Sequence, residues 1–246
     1  MACEGYLATA TVRQYVRDTV VIGAVLSLVL AACGPSEKEQ AAQHLKQGKE
    51  LYTVGKYEAA IPELEKAAQL DIDAIEPRLL VGNAFRALKR YDEALAAYRD
   101  AKKVDRYAPA PHIETALTHL EMGQIDNAVE DLTHVIEIDP NNVTALVLLG
   151  KVSLMPRPEG KVGLGRFVNP DPKAGYQRAV LNLSRAIELA PDNVEANQLL
   201  AEAYEALGKR DEALKAWTRT KELASNKPEY GAVADEASKA LARLAP

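Results

Sequence analysis

Small side chains recur at a fixed interval along most of the chain, within stretches whose apolar residues follow helical spacing. From about residue 41 onward the interval is 34 residues. Two series share it: Gly48, Gly82, Ala116 and Gly150, and Ala60, Ala94 and Ala128. Small residues are needed where two packed helices approach most closely. A unit of 34 residues is too short to form a separate domain, so it must stack on its neighbours. The pattern therefore predicts helical hairpins that stack along one array.

Turn residues separate the predicted helices. Pro140 follows Asp139, and Pro191 follows Ala190, at points where proline cannot continue the preceding helix. After the last repeat, apolar residues return at helical spacing between residues 230 and 244. This segment predicts a final helix that covers the otherwise exposed end of the array.

The repeat resembles the tetratricopeptide repeat, a helix–turn–helix unit with small residues at its eighth and twentieth positions. The best match lies in residues 75–108, where the family positions hold Val81-Gly82, Phe85, Tyr91, Ala94, Tyr98 and Ala101. The resemblance implies an all-α fold, an α-solenoid of about five tetratricopeptide repeats with a C-terminal capping helix. The predicted array covers 41–228, and the capping helix covers 229–246. The predicted repeats are about 41–74, 75–108, 109–142, 143–193 and 194–227.

One segment interrupts the period inside the fourth repeat. Ala128 and Ala179 are 51 residues apart instead of 34, and the stretch at about 155–175 is rich in proline and glycine. Such a composition predicts a loop insertion between the two helices of this repeat. Three interpretations stay open, namely a contact surface, a passive insertion and a plug ordered against the array. The candidate contact residues are Arg157, Lys161, Arg166 and Phe167.

The first residues of the chain have a different pattern. Arg13 and Arg17 precede an apolar run over residues 19–32, which ends at Cys33. A basic flank, a short apolar segment and small residues at its end are typical of a secretory signal. As a helix, the run is about 21 Å long, shorter than the ~30 Å hydrocarbon core of a membrane. The signal interpretation is therefore favoured over a permanent transmembrane helix.

Residues 30–33, Leu-Ala-Ala-Cys, resemble the lipobox of bacterial lipoproteins. This resemblance implies that residues 1–32 are removed as a signal peptide, that Cys33 carries acyl chains such as palmitate, and that residues 33–40 form a short tether. An ordinary export signal that happens to contain a cysteine is the alternative. Gly34 follows the lipidated position, and by the same resemblance it implies sorting to the outer membrane, facing the periplasm.

Charge and residue types narrow the function classes. The chain has 30 basic and 35 acidic residues, a net charge of −5 and no basic stripe, so nucleic acid is not a predicted partner. His112 and His119 fall at helix-packing positions and lack the companion ligands of a metal site. We therefore predict no enzyme activity, metal, cofactor or small-molecule substrate. The alternative is an enzyme or a metal or cofactor carrier with its site in the 155–175 loop.

In the tetratricopeptide family, the first helices of successive repeats line a peptide-binding groove. The resemblance assigns groove positions to Lys49, Leu79, Asn83, Arg86, Ile113, Leu117, Leu120, Val147 and Lys151. The apolar members suit an extended or helical apolar peptide. The alternative is that some of them form the core between repeats. The family's carboxylate clamp is matched only at Asn83 and Arg86, so that subtype is not expected.

Together these features predict a lipid-anchored scaffold or adaptor on the periplasmic side of a bacterial membrane, expected to be the outer one. Its partners would be one or more envelope proteins. Lipoproteins of this kind resemble assembly factors for pili, secretion, exopolysaccharide export or cell-wall machinery, and the sequence does not choose among them.

Overall fold

The computed structural model describes residues 35–156 and 172–245. Within those ranges the chain folds into helices, with no strand. The helices are α1 (Glu37–Thr53), α2 (Tyr57–Leu70), α3 (Ile75–Ala87), α4 (Tyr91–Val104), α5 (Pro109–Glu121), α6 (Ile125–Ile138), α7 (Val143–Leu154), α8 (Pro172–Leu189), α9 (Val194–Ala206), α10 (Arg210–Ser225) and α11 (Gly231–Leu244). A 3₁₀ turn at Pro228–Tyr230 precedes α11.

These helices form two compact units, which divide between Asp73 and Ala74. The first unit contains the hairpin of α1 and α2. The second contains four hairpins, formed by α3 with α4, α5 with α6, α7 with α8, and α9 with α10. In this unit α4 also packs on α5, α6 on α7 and α8 on α9, while α11 packs on α10. The second unit is therefore a continuous stack.

Small residues lie where the two helices of a hairpin cross. A Cβ built on Gly48 would lie 2.6 Å from Leu64 Cδ2, and one built on Gly150 would lie 2.5 Å from Leu183 Cγ. Atoms in a close-packed interior do not approach this closely without displacement. The helices reach their observed spacing because the glycines have no side chain, and this is the physical basis of the 34-residue period.

The core of the second unit follows the interfaces between successive helices. One buried cluster joins α5, α6 and α7 through Ala116, Ala128, Leu132, Val135, Ala145 and Val152. At the C-terminal end, Ala237 and Ala240 of α11 pack in one cluster with Trp217 of α10, which is 2% exposed. Without α11, this indole ring would face water. The prediction of an all-α repeat fold with a C-terminal capping helix is confirmed.

The predicted insertion ends earlier than expected. We predicted a loop to about residue 175, and this was wrong at the C-terminal end because α8 begins at Pro172. Proline suits the first position of a helix, where its missing N–H removes no hydrogen bond. A Cβ built on Gly175 would lie 2.9 Å from the carbonyl oxygen of Ser153. The glycine that suggested a loop is therefore explained by the close approach of two chain segments.

Several predicted features lie outside the described residues. They are the signal peptide, the lipidation site Cys33, and the insertion contacts Arg157, Lys161, Arg166 and Phe167. None of the helices that the structure describes combines the length and the apolar character needed to cross a membrane.

Candidate peptide-binding face

The first helices of the four hairpins in the second unit are α3, α5, α7 and α9. Helix α3 packs beside α5, and α7 packs beside α9, whereas α5 and α7 approach each other less closely. We call the surface formed by these helices, together with the side of α11 that contacts α9, the first-helix face. Its side chains include Leu79, Arg86, Leu117, Leu120, Lys151, Gln198 and Glu202.

Arg86 is held by two carboxylates of the neighbouring helix α5. Its Nη2 lies 2.7 Å from Glu114 Oε2, and its Nη1 lies 3.5 Å from Glu121 Oε1. Burial raises the pKa of the Glu114 carboxyl, and the guanidinium of Arg86 acts in the opposite direction. The charge of Arg86 is thus compensated within the face, and it is not available to hold the carboxylate of a ligand without breaking these pairs.

Asn83 and Lys151 also have partners within the second unit. The hydroxyl of Tyr98 donates a hydrogen bond to Asn83 Oδ1 over 2.6 Å. The Nζ of Lys151 lies 2.9 Å from Glu195 Oε1 of α9, and both side chains are exposed. The polar groups of Asn83 and Lys151 thus bind side chains of the same unit.

The apolar residues assigned to the groove divide between surface and core. Leu79 and Leu117 are half-buried. Ile113 and Leu120 are also half-buried, and they pack against the cluster that joins α5, α6 and α7. These side chains keep part of their surface accessible while they support the stack.

Val147 is placed differently from its predicted role. It is only 5% exposed and belongs to a core cluster with Leu183 and Leu199. Because α7 is packed between α8 and α9, this side chain faces the interior. Val147 therefore fits the alternative interpretation, in which some of the apolar residues assigned to the groove form the core between repeats.

An acidic group lies at the C-terminal end of the face. The amide Nε2 of Gln198 donates to Glu202 Oε1 and to Glu236 Oε2, each over 3.1 Å. Burial raises the pKa of the Glu202 carboxyl, and the nearby charge of Glu236 raises it further. Glu236 belongs to α11, outside the repeat register, so the 34-residue period gave no signal for it.

Glu205 completes this end of the face. It accepts a hydrogen bond from the indole Nε1 of Trp217. Its Oε2 also lies 2.7 Å from Arg243 Nη2 of α11. These contacts tie the capping helix to the last hairpin.

The histidines of the third repeat make packing contacts. The Nε2 of His112 lies 3.2 Å from the carbonyl oxygen of Arg106, and the rings of His112 and His134 have centroids 4.7 Å apart. His119 Nδ1 lies 2.9 Å from Asp131 Oδ2. Among the residues that the structure describes, no three histidine, cysteine, aspartate or glutamate side chains are placed to hold a metal ion.

One predicted groove residue lies in the first unit. Lys49 is half-buried on α1 and has an interaction partner. The remaining predicted groove positions lie in the second unit, on α3, α5 and α7. The predicted groove residues of these three helices therefore lie in the same unit, and Val147 lies in the core of that unit.

Stacked helical hairpins define this chain as an α-helical repeat protein. Residues 45–111 match the family model described as tetratricopeptide repeat. Residues 123–245, which are half of the chain, match the model described as regulator of microtubule dynamics protein 1-3. The chain belongs to the tetratricopeptide repeat family, and its C-terminal half belongs to the family of the second model.

Two curated relatives show how far the sequence similarity extends. U-box domain-containing protein 70 of Oryza sativa subsp. japonica is 29% identical over 135 residues, which cover 52% of this chain and 17% of that protein. BBSome complex member BBS4 of Bos taurus is 27% identical over 176 residues, which cover 71% of this chain and 30% of that protein. The chain therefore spans less than a third of the length of these relatives.

The crystal structure of MamA shares the fold. It superposes with a TM-score of 0.57 at 20% identity, covering 78% of this chain and 96% of that chain. At this identity the likeness concerns the fold alone. By name, BBS4 is a member of a protein complex, the BBSome. A repeat scaffold for protein–protein interaction is therefore the function class that the family relation supports.

Proposed function

We propose that this chain is a lipid-anchored scaffold on the periplasmic side of the outer membrane, where it assembles envelope proteins. The first-helix face is the observation on which the proposal rests. There, half-buried leucines such as Leu117 lie beside charged groups, a combination typical of surfaces that bind a peptide segment of a partner. The partners would belong to pilus, secretion, exopolysaccharide export or cell-wall machinery.

The proposed lipid anchor would hold the binding face at the membrane surface, close to its partners. The lipobox-like residues 30–33 would attach the chain to the membrane through Cys33. Confinement at a surface raises the effective concentration of two partners that it holds, so that even modest binding by the face favours assembly.

The face is tested by photo-crosslinking in intact cells. A photoreactive amino acid at Leu117, on the first-helix face, is expected to give discrete crosslinked envelope proteins. The same amino acid at Glu130, exposed on α6, is the control and is expected to give few or none. Equal products from both positions, or none from Leu117, would contradict the proposed binding face.

The anchor is tested in the same cells by labelling with radioactive palmitate. Cys33→Ser should abolish the label, leave the precursor uncleaved and reduce the crosslinks from position 117. Cys3→Ser removes the other cysteine of the chain and should change neither the label nor the crosslinks. Label that persists in Cys33→Ser would refute lipidation at this site.

A further inference from the structure

The charges of the first-helix face indicate which kind of segment it accepts. We propose that the part of the face formed by α5, α7, α9 and α11 binds a basic amphipathic helix of the partner. Leucine side chains of that helix would contact α5, and its lysines or arginines would contact Glu202 and Glu236. This inference rests on the proposed scaffold function and specifies its partner.

Of the three lysines and arginines on α5, α7, α9 and α11, two are paired within the fold, and the third, Lys239, is exposed on α11. Lys151 lies 2.9 Å from Glu195, and Arg243 lies 2.7 Å from Glu205. A partner that carries acidic side chains would have to break one of these pairs or accept repulsion from the other carboxylates. The same charge balance disfavours anionic lipid headgroups and nucleic acid.

Glu202 and Glu236 differ from those paired carboxylates. Both accept a hydrogen bond from the neutral amide of Gln198, and Glu202 is half-buried. A carboxylate that is partly removed from water, with a second carboxylate nearby, is stabilised when a cation approaches. An incoming ammonium or guanidinium group supplies that cation and can donate hydrogen bonds to both side chains.

The apolar part of the surface lies two helices away. Leu117 and Leu120 on α5 are half-buried, as is Leu154 on α7. Packed helices are about 8–10 Å apart, and α5 and α7 approach each other less closely than a packed pair, so the path from α5 across α7 to α9 is at least ~20 Å. A helix of about 14 residues is ~21 Å long, and the long side chains of its cations extend its reach. Such a helix spans this path with its leucines at one end and its cations at the other.

The test uses the full-length chain and two synthetic helical peptides of about 14 residues. Both peptides carry a leucine stripe in one half, and the other half carries three lysines in the first peptide and three glutamates in the second. Fluorescence anisotropy at low salt is expected to give at least tenfold tighter binding for the lysine peptide. Added salt should reduce this advantage, since exposed charge pairs are screened. Equal affinity for the two peptides, tighter binding of the glutamate peptide, or binding of neither would overturn the inference.

Charge variants locate the contact. Glu202→Gln with Glu236→Gln should weaken binding of the lysine peptide about tenfold, and circular dichroism should show the same helix content. The matched control is Glu130→Gln with Glu212→Gln, which removes two charges from exposed positions on α6 and α10 and should change affinity less than twofold. An equal loss in both variants would mean that only overall charge matters, and this would also overturn the assignment.

Leu117→Glu tests the apolar contact, and crosslinking in cells compared with peptide binding distinguishes the two proposals. It should weaken the lysine peptide because it removes the apolar contact and places a charge in its position. If envelope proteins crosslink to position 117 in cells while the lysine peptide fails to bind, the scaffold function stands and the basic partner is refuted. If the peptide binds and no envelope protein crosslinks, the scaffold function fails.

Discussion

At each end of the first-helix face one side chain joins two glutamates, and the two ends differ in the charge of that side chain. At the end formed by α3 and α5, Arg86 bridges two glutamates of the next helix. At the end formed by α9 and α11, Gln198 bridges two glutamates. A charged bridge neutralises its partners within the protein, whereas a neutral bridge fixes their positions and leaves their charge available. The first end is thus suited to holding helices together, and the second to binding a cation.

The half-buried carboxylates at the two ends show the same contrast. Burial raises the pKa of both Glu114 and Glu202. Beside Glu114, the charge of Arg86 opposes this effect of burial. Beside Glu202, the hydrogen bond from the Gln198 amide opposes this effect of burial, and the charges of Glu236 and Glu205 add to it. The charge of Lys151 also opposes it and is the smallest of these influences on the pKa of Glu202. At neutral pH the second carboxylate therefore has more to gain from a cation supplied by a partner.

The largest expected effect is that of removing the charged bridge. Arg86→Met keeps much of the apolar stem but leaves Glu114, whose side chain is 24% exposed, without its cation. We expect a loss of about 2 kcal/mol in the free energy of unfolding, between the values for exposed and buried pairs. Urea denaturation measures this loss as a lower midpoint concentration of urea, while the slope of the free energy of unfolding against urea concentration stays unchanged.

The control for this variant is Arg185→Met. Arg185 pairs with Glu188 on an exposed surface of α8, and exposed pairs of this kind contribute about 0.2–1 kcal/mol. A loss equal to that of Arg86→Met would show that the bridge at the first end is an ordinary surface pair, and the comparison of the two ends would fail.

The second prediction transfers the charged bridge to the other end. Gln198→Arg places a guanidinium between Glu202 and Glu236, where it should stabilise the fold by about 1 kcal/mol. The same variant should lose most of its affinity for a lysine-rich amphipathic peptide, because the protein now supplies the cation itself. Urea denaturation and peptide anisotropy measure the two effects.

Gln198→Leu is the matched control, since leucine is similar in size to glutamine, supplies no charge and leaves both glutamates charged. It should retain peptide binding. If Gln198→Arg bound the lysine peptide as tightly as the unmodified chain, the two ends would not differ in the way their charges indicate.

The sequence predicted the fold because the fold depends on residues within one repeat. The close crossing of α7 and α8 requires a side chain no larger than that of Gly150, and such a requirement recurs every 34 residues. Proline and glycine near residue 172 were misleading for a local reason, because proline also starts helices and Gly175 lies against a backbone carbonyl.

The site was predicted less completely, because its contacts join helices of different repeats. The sequence assigned Arg86 to a groove position but gave no means of pairing it with Glu114, 28 residues away. Glu236 was missed because the capping helix does not follow the repeat register. Val147 was assigned by position alone, while its burial depends on how α7 lies between α8 and α9.

The smallest expected effect concerns the pH dependence of stability. The pKa of Glu202 in the folded chain is raised above its ordinary value of 4.5, so the folded state binds its proton more tightly than the unfolded state does. The stability that this provides is present below pH 4.5 and is lost as the pH rises through the raised folded pKa. At neutral pH the ionised, half-buried carboxylate therefore opposes folding.

Glu202→Gln removes this opposition, because glutamine resembles the protonated acid. The variant should be more stable than the unmodified chain by about 0.5 kcal/mol at pH 7, with the difference vanishing near pH 4. Urea denaturation at the two pH values measures it. The control variant Glu130→Gln, on the exposed side of α6, should differ from the unmodified chain in stability by the same small amount at both pH values. If Glu202→Gln lowered stability at pH 7, the carboxylate would already have a cation within the fold, and the C-terminal end of the face would resemble the end that Arg86 holds.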